Sequence, residues 1–232
     1  MSKTRIIEAV RRLDVDATRE LLARQPSLIS VKDRGGRNLL HTACSVSCKA
    51  LGVPESVSAR VVQLLLDSGI APDSSVITGT YPCNSVWFAV ARGRNATLVE
   101  LLVKRGASAR GLFAAGWQED LKLVQMLIDL GAPVDEHAKD ETPFLHCWKN
   151  RRLRSARVLI HNGANVNFQD STGKTALHYG VKKGFEPSTL RALVRSGASP
   201  DIVDHAGVSA RLLASRKRDK RFLRALSDAA RH

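Results

Sequence analysis

The sequence is short of the features that mark secreted and membrane proteins. None of its apolar runs approaches the roughly 18 residues that a membrane-spanning helix needs, and its charged amino terminus lacks the apolar core of a signal peptide. Its four cysteines stand apart along the chain, so they do not form the dense pattern of a small disulfide scaffold. We therefore expect a cytoplasmic protein with reduced cysteines.

The short motifs of catalysis are also missing. The chain contains no His-Glu-x-x-His, Gly-x-Ser-x-Gly or Gly-x-Gly-x-x-Gly string. The string at 173–175 reads Gly-Lys-Thr like the end of a phosphate-binding loop, but Phe168 stands where that loop needs its first glycine. Carboxylates around His137 could serve acid-base chemistry, and we interpret them instead as a solvated turn. We predict no enzyme, no catalytic residue and no cofactor.

One group of residues has the spacing of a metal site. His41, Cys44 and Cys48 stand at i, i+3 and i+7, so a helix would place them on one face. Tetrahedral zinc needs a fourth ligand, and no neighbour obviously supplies one. We therefore interpret the cysteines as compact buried groups and predict no metal site.

Acidic residues are few relative to basic ones. The 232 residues include 36 Lys and Arg but only 22 Asp and Glu, which gives a formal net charge of +14. Such a charge attracts an acidic partner over long range. A nucleic acid is the alternative, because the stretch Ser215–Arg224 is strongly basic. Aromatic residues, however, do not alternate with the basic ones as a groove for a single strand would require.

What the chain does contain is a repeat. The strings at Asp33–Ala43, Asp170–Gly180 and Asp204–Ala214 share one pattern, and they resemble the ankyrin motif Asp-x-x-Gly-x-Thr-Pro-Leu-His-x-Ala. Five helical runs end on a glycine, which suits the left-handed turn that often closes a helix. The steps between these glycines are 37, 25, 32 and 34 residues, close to the roughly 33 of the ankyrin unit. The resemblance to ankyrin repeat proteins therefore covers nearly the whole chain.

The resemblance implies an all-α fold, a right-handed-stacked ankyrin-type solenoid of about seven helix-turn-helix repeats joined by hairpin loops. The first repeat lacks the hairpin motif, the second holds an inserted loop at 47–58, and in the fourth either a helix or the hairpin must be shortened. The motif histidine ties hairpin to helix in this family, so His41 and His178 take structural roles. We expect a single ankyrin repeat domain over residues 1–232, with approximate repeats at 2–32, 33–72, 73–109, 110–134, 135–166, 167–200 and 201–232.

The resemblance also implies a function without catalysis. Ankyrin repeats are interaction scaffolds, and we expect this one to bind another protein, with an acidic surface, through its concave face of hairpins and inner helices. A basic adaptor for nucleic acid is the alternative. We expect a monomer that does not contact membranes. The family's contact positions, carried over residue by residue, give a predicted partner-binding set that is mostly basic or aromatic: Arg34, Arg37, Phe88, Arg92, Trp117, Lys149, Lys174, Tyr179, Lys182 and Lys183.

Overall fold

A computed structural model describes residues 2–78, 81–138 and 140–227, and its regular structure is almost entirely helical. The last five residues of the predicted seventh repeat, 228–232, lie outside the described residues. Across the described part of the chain, no helix is long and apolar enough to cross a bilayer. The helices are α1 (Ser2–Arg11), α2 (Val15–Arg24), α3 (Leu39–Cys44), α4 (Cys48–Leu51), α5 (Glu55–Asp67), α6 (Ser85–Phe88), α7 (Ala96–Lys104), α8 (Leu112–Gln118), α9 (Leu121–Asp129), α10 (Pro143–Lys149), α11 (Leu153–His161), α12 (Ala176–Lys182), α13 (Pro187–Arg195), α14 (Ala210–Ser215) and α15 (Arg221–Ser227).

The chain divides into two compact units. Unit 1 comprises residues 1–115 and 125–132, and unit 2 comprises residues 116–124 and 133–232. In unit 1, α1 packs against α2 and α3, α3 against α5, and α5 against α7. In unit 2, α10 packs against α11 and α12, α12 against α13 and α14, and α13 against α15. Helices therefore pack within their own repeat and against the next one, which is how repeat proteins build a core from short units.

Polar side chains determine where many of the helices begin. The residue before the helix accepts a hydrogen bond from a backbone N–H of the first turn, which would otherwise have no partner. Asn38 accepts from the amide of His41 at 2.9 Å in this way, and Asn95 accepts from that of Leu98 at 3.0 Å. Thr142 caps α10 in the same manner, and Pro143 follows as the first helical residue, where its missing N–H removes no bond.

The two motif histidines join neighbouring repeats. In unit 1, Nδ1 of His41 accepts from the amide of Asn38 at 3.2 Å, and its Nε2 bonds the carbonyl of Ser74 at 2.8 Å. In unit 2, Nδ1 of His178 accepts from the amide of Thr175 at 3.1 Å, and its Nε2 bonds the carbonyl of Val208 at 2.9 Å. Both rings are buried. Each histidine thus holds its own helix start and the hairpin of the following repeat, the role predicted from the motif.

The third repeat departs most from a plain loop and two helices. Its hairpin forms a short antiparallel pair of strands, β1 (Ser75–Thr78) and β2 (Tyr81–Asn84), in which Val76 pairs with Cys83. After α6 the chain makes a π-helical turn over Ala89–Gly93. A Cβ on Gly93 would lie 2.4 Å from the carbonyl oxygen of Cys44, so this turn approaches the second repeat as closely as only glycine allows. Single π-helical turns of this kind are rare and mark a local irregularity in a helix.

The fourth repeat keeps two helices of ordinary length. Its helices α8 and α9 span seven and nine residues, as do α10 and α11 of the fifth repeat. The reduction lies in the hairpin, because only residues 107–111 separate Gly106 from α8, whereas 132–142 separate Gly131 from α10. Of the two possibilities left open by the sequence, the structure therefore selects the shortened hairpin.

The segment inserted in the second repeat is more ordered than the expected loop. Residues 48–51 form α4, and α5 begins at Glu55. The side-chain amide of Asn95 donates to the hydroxyl of Ser58 at 2.8 Å, and the hydroxyl of Thr97 donates to the carboxylate of Glu55 at 2.6 Å. The insertion is therefore attached to the third repeat by polar contacts, one of them buried, instead of standing free in solvent.

Candidate partner-binding site

The predicted contact residues of unit 1 do not behave alike. Arg34 and Arg92 are exposed. Arg37 is held by Asp33, since its guanidinium lies 2.7 Å from the carboxylate, which also accepts from its Nε at 2.8 Å. Burial opposes ionisation of Asp33, but the bonds from Arg37 and from two backbone amides outweigh it, so the pKa of Asp33 is lowered. Arg37 is therefore partly committed to its own hairpin.

The prediction for Phe88 is wrong. Only 1% of this residue is exposed, so it offers no surface to a partner. Its ring lies 5.1 Å from the ring of His41 in the preceding repeat, and it meets Trp87 edge-on at the same distance. The motif aligned Phe88 with the variable position after the histidine, but an aromatic ring here fills the space between two repeats and buries its area instead of displaying it.

The predicted residues of unit 2 converge on a smaller area. Along three successive first helices, α8, α10 and α12, aromatic rings lie beside cationic groups. We call this group the Trp117 cluster, and it comprises Trp117, His146, Lys149, Arg152 and Tyr179. Contacts connect its members from the fourth repeat to the sixth, with Glu141 as the link between His146 and Lys149.

Trp117 is the centre of the exposed part of the cluster. It remains 46% exposed, whereas Trp148 is only 3% exposed. The indole ring lies 5.7 Å from the ring of His146, and the guanidinium of Arg152 stands over it at 4.8 Å. A cation over the face of an indole is attracted by the ring's electrons. The ring thus contacts two neighbouring side chains while a large part of the residue stays exposed.

A carboxylate organises the next layer of the cluster. Nδ1 of His146 lies 2.7 Å from Oε2 of Glu141, and the ammonium group of Lys149 forms an ion pair with the other oxygen. The His146 ring and then the Lys149 ammonium stabilise the ionised form against the effect of burial, and they lower the pKa of Glu141 to about 2. Burial disfavours the charge of Lys149, but its bond to Glu141 outweighs burial, and the pKa of Lys149 is raised.

Tyr179 connects the cluster to the hairpin of the sixth repeat. The ammonium of Lys149 lies 4.7 Å from the centre of its ring, and its hydroxyl donates to the buried carboxylate of Asp170. Burial and this bond together raise the pKa of Tyr179. Tyr179 is half-buried, and its hydroxyl is engaged in a hydrogen bond within the hairpin. Less of this side chain is therefore available to a partner than at a fully exposed residue.

The remaining lysines of the predicted set differ in freedom. Lys182 and Lys183 are exposed, and the ammonium of Lys183 donates to the carbonyl of Lys149. Lys174 donates to the hydroxyl of Thr172 at 3.0 Å and lies 3.8 Å from the carboxylate of Asp204. Of these three lysines, Lys182 is thus the most available to a partner.

The cysteines carry no sign of reactivity. All four are free thiols buried in the structure. Burial raises the pKa of Cys44 far above its ordinary value, and it raises that of Cys147 to about 12, so neither thiol ionises near neutral pH. Within the residues that the structure describes, no three side chains of His, Cys, Asp or Glu are grouped so that they could hold a metal ion.

Comparison with known proteins agrees with this architecture. The family model for ankyrin repeats in three copies matches residues 112–204. A crystal structure of the ankyrin repeat domain of Bcl-3 covers 96% of this chain and 97% of its own, with a TM-score of 0.77 at 23% identity. Residues 112–204 are ankyrin repeats, and the chain has the ankyrin repeat fold. The family and the all-α ankyrin architecture predicted from the sequence are confirmed.

Two curated relatives extend the comparison for this chain. The mouse B-cell lymphoma 3 protein homolog is 28% identical over 172 residues, which cover 73% of this chain. The chain spans only 30% of the length of that relative. The probable 26S proteasome regulatory subunit p28 of Saccharomyces cerevisiae is 27% identical over 218 residues, covering 88% of this chain and 90% of the yeast protein.

The repeat motif did not point to Arg152. This residue stands in the turn between α10 and α11, outside the positions that the motif defines. The available signal for Arg152 was its place in the basic run 151–154. Its contact with an aromatic ring in another repeat could be recognised only in three dimensions.

Proposed function

We propose that this chain is a non-catalytic scaffold that binds an acidic segment of another protein at the Trp117 cluster. The observation that carries the proposal is Trp117, which is 46% exposed and whose indole contacts both Arg152 and His146. Tryptophan and arginine are enriched among the residues that dominate binding energy. A ring that is already fixed loses little conformational entropy when a partner covers it.

The charge around the cluster supports an acidic partner. Arg151, Lys182 and Lys183 are exposed beside it, and the guanidinium of Arg151 donates to the carbonyl of Lys183 at 2.7 Å. Exposed cations of this kind accelerate encounter with a negatively charged surface. The yeast relative is named a probable regulatory subunit of the 26S proteasome, which supports a protein as the partner class.

The first experiment is a comparative affinity capture with nuclease-treated extract, in which three baits are quantified by mass spectrometry. The baits are the wild type, Trp117→Ala combined with Lys182→Glu, and a control with Arg216→Glu at the exposed carboxy-terminal basic stretch. A protein retained by the wild type and the control but lost by the double variant is the expected partner. Equal retention by all three baits would contradict a role for the cluster.

Binding kinetics with the captured protein then separate the contributions. Lys182→Glu should slow association and weaken its salt dependence, while Trp117→Ala should speed dissociation, because steering acts before contact and buried anchors act after it. The alternative, a nucleic-acid adaptor, predicts instead a steep linear loss of log affinity with log salt. It also predicts a larger loss from the carboxy-terminal variant than from the cluster variant.

A further inference from the structure

A second basic surface lies in unit 1 and shares no residue with the proposed site. It is a cleft of about 740 Å³ between α1 and the hairpin that opens the second repeat, within the roughly 300–1,000 Å³ of ligand-binding clefts. One wall is a single stripe of α1, because Thr4, Ile7, Glu8 and Arg11 follow the spacing that places helical residues on one face.

The hairpin forms the opposite wall, and its geometry is set by Asp33. One carboxylate oxygen accepts from the amides of Gly35 at 2.8 Å and Arg37 at 3.0 Å, while the other binds the Arg37 side chain. Lys32 bridges to Asn38 across the base of the hairpin. These bonds hold the hairpin without the side chains of Lys32 and Arg34, and both residues line the cleft.

The charges of the cleft do not balance. Its ten lining residues include five cations and two carboxylates. Both carboxylates are already paired, Glu8 with Arg12 at 2.8 Å and Asp33 with Arg37 at 2.7 Å. Three exposed cations remain, and among the described residues no carboxylate lies within ion-pair distance of them: Arg11, Lys32 and Arg34.

The charges of this hairpin also act on the buried His41. Burial lowers the pKa of His41, and the bond to the carbonyl of Ser74 opposes that shift. The charges of Arg37 and Lys32 lower the pKa further, while that of Asp33 raises it. A negatively charged ligand in the cleft would offset the charges of these two cations.

We propose that this cleft binds an acidic peptide segment, whose carboxylates pair with Arg11, Lys32 and Arg34 while Ile7 contacts its apolar part. This goes beyond the proposed function, because it assigns a separate surface to residues of the other unit. The lining favours a peptide over a nucleic acid, because it contains no aromatic ring on which a base could stack.

The test measures fluorescence anisotropy of a labelled peptide of alternating glutamate and glycine with the full chain. One variant reverses the charge of three cleft residues by the substitutions Arg11→Glu, Lys32→Glu and Arg34→Glu. A control with the same composition reverses three exposed cations of unit 1 outside the cleft, Arg5→Glu, Lys49→Glu and Arg60→Glu. We expect the cleft variant to raise the Kd by about tenfold or more, and the control to change it by less than about threefold, because only the first set makes direct contacts.

Several outcomes would overturn the proposal. These are no binding of the peptide by the wild type, equal losses in the two reversal variants, and a larger loss in Trp117→Ala with Lys182→Glu than in the cleft variant. A labelled oligothymidylate that binds more tightly than the peptide and is lost with the same cleft variant would also overturn it, in favour of a nucleic acid.

Two further measurements guard against misfolding. If the reversal variant unfolds, replacement of the same three residues by glutamine removes the charges without introducing new ones, and the same ordering of Kd values is expected. In the wild type, NMR titration with the peptide should shift the methyl signals of Ile7 and the amide of Gly35. Unshifted signals at both would overturn the proposal even if the affinity depended on charge. The cleft is judged by the peptide probe and its own reversal variant, and the Trp117 cluster by the captured protein, so either proposal can fail without the other.

Discussion

The hairpins of the second and sixth repeats share one backbone and differ in what their side chains are free to do. In each, an aspartate oxygen accepts from the amides two and four residues later, at 2.8 and 3.0 Å for Asp33 and at 2.9 and 3.1 Å for Asp170. In each, the turn glycine has a φ of +76°. The second oxygen differs, because Asp33 binds the cation of Arg37 whereas Asp170 accepts from the hydroxyl of Tyr179.

The difference shows how one motif yields two kinds of surface. Where an arginine pairs with the aspartate, the ion pair stays within the hairpin, and Arg34 lines the cleft. Where tyrosine satisfies it, the hairpin is joined to the first helix of its own repeat, and Lys174 lies beside Asp204 of the following hairpin. The motif determines the backbone, and the residues around it decide which charges remain for a partner.

The largest effect should be common to both repeats. Leu40 and Leu177, which precede the two motif histidines, are completely buried. Leu40→Ala and Leu177→Ala should each lower the free energy of unfolding by about 2–5 kcal/mol, since each removes buried methyl groups and leaves a cavity. Chemical denaturation of the two variants measures this. A loss below about 1 kcal/mol at either site would show that its repeat does not share the common core.

Substitution of the turn glycine should cost more stability in the hairpin of the sixth repeat than in that of the second. In Gly36→Ala, the added Cβ would contact only the side chain of Val76, at 3.5 Å. The loss of stability therefore comes from the left-handed backbone alone and should be about 1–2 kcal/mol. Gly173→Ala would place a Cβ 2.7 Å from the backbone nitrogen of His205, which adds about 1–3 kcal/mol of overpacking. Thermal unfolding of both variants tests this order. Equal losses would mean that the hairpins of the sixth and seventh repeats are not in the close contact described.

The two side chains that bind the aspartates should differ in their contribution, and the smallest effect of all should come from Arg37. Tyr179→Phe removes a hydrogen bond to a buried carboxylate and should cost about 1.5–3 kcal/mol at neutral pH. Arg37→Gln breaks an ion pair whose cation is a third exposed, and it should cost about 1 kcal/mol or less. Urea titrations of both variants measure the difference. A larger loss in Arg37→Gln would reverse this interpretation of the two hairpins.

The same pair of residues predicts a pH dependence. Burial opposes the charge of Asp170, but the bonds from Tyr179 and Thr172 outweigh it and lower the pKa of Asp170 below the ordinary 3.8. A lowered pKa contributes stability above the ordinary value, and this contribution is lost as the pH falls through the folded value. The stability gap between wild type and Tyr179→Phe should therefore narrow below pH 3.8, and a constant gap in acid would contradict it.

Much of the fold could be predicted from local patterns. Five glycines were expected to end helices in a left-handed turn, and all five have φ between +85° and +100°: Gly69, Gly106, Gly131, Gly163 and Gly197. The bonds of His41 and His178 also follow the motif. These features depend on a few neighbouring residues and on a regular repeat, so their spacing in the sequence is enough to predict them. The division into seven repeats within one domain stays a prediction.

The site could be predicted less well. Arg34 and Lys182 lie exposed where the motif places contact residues, but Phe88 is buried, and Lys149 and Tyr179 are engaged with Glu141 and Asp170. Exposure and pairing depend on side chains that arrive from other repeats. The motif defines a position on a helix, but it does not say whether a neighbouring ring or carboxylate reaches that position.

The sequence by itself determined the family, the periodic helices, the left-handed helix ends and the excess of positive charge. Each of these follows from residue type, short-range spacing or a simple count, and needs no knowledge of the neighbouring repeat. Only the tertiary structure decided that Trp117 contacts His146 and Arg152, and that α1 and the hairpin at 32–38 enclose a cleft. The residues in contact with Trp117 are 29 and 35 positions away from it in the sequence, and the two walls of the cleft are more than 20 positions apart. Their distances in space depend on how whole repeats pack, which the spacing of residues does not specify.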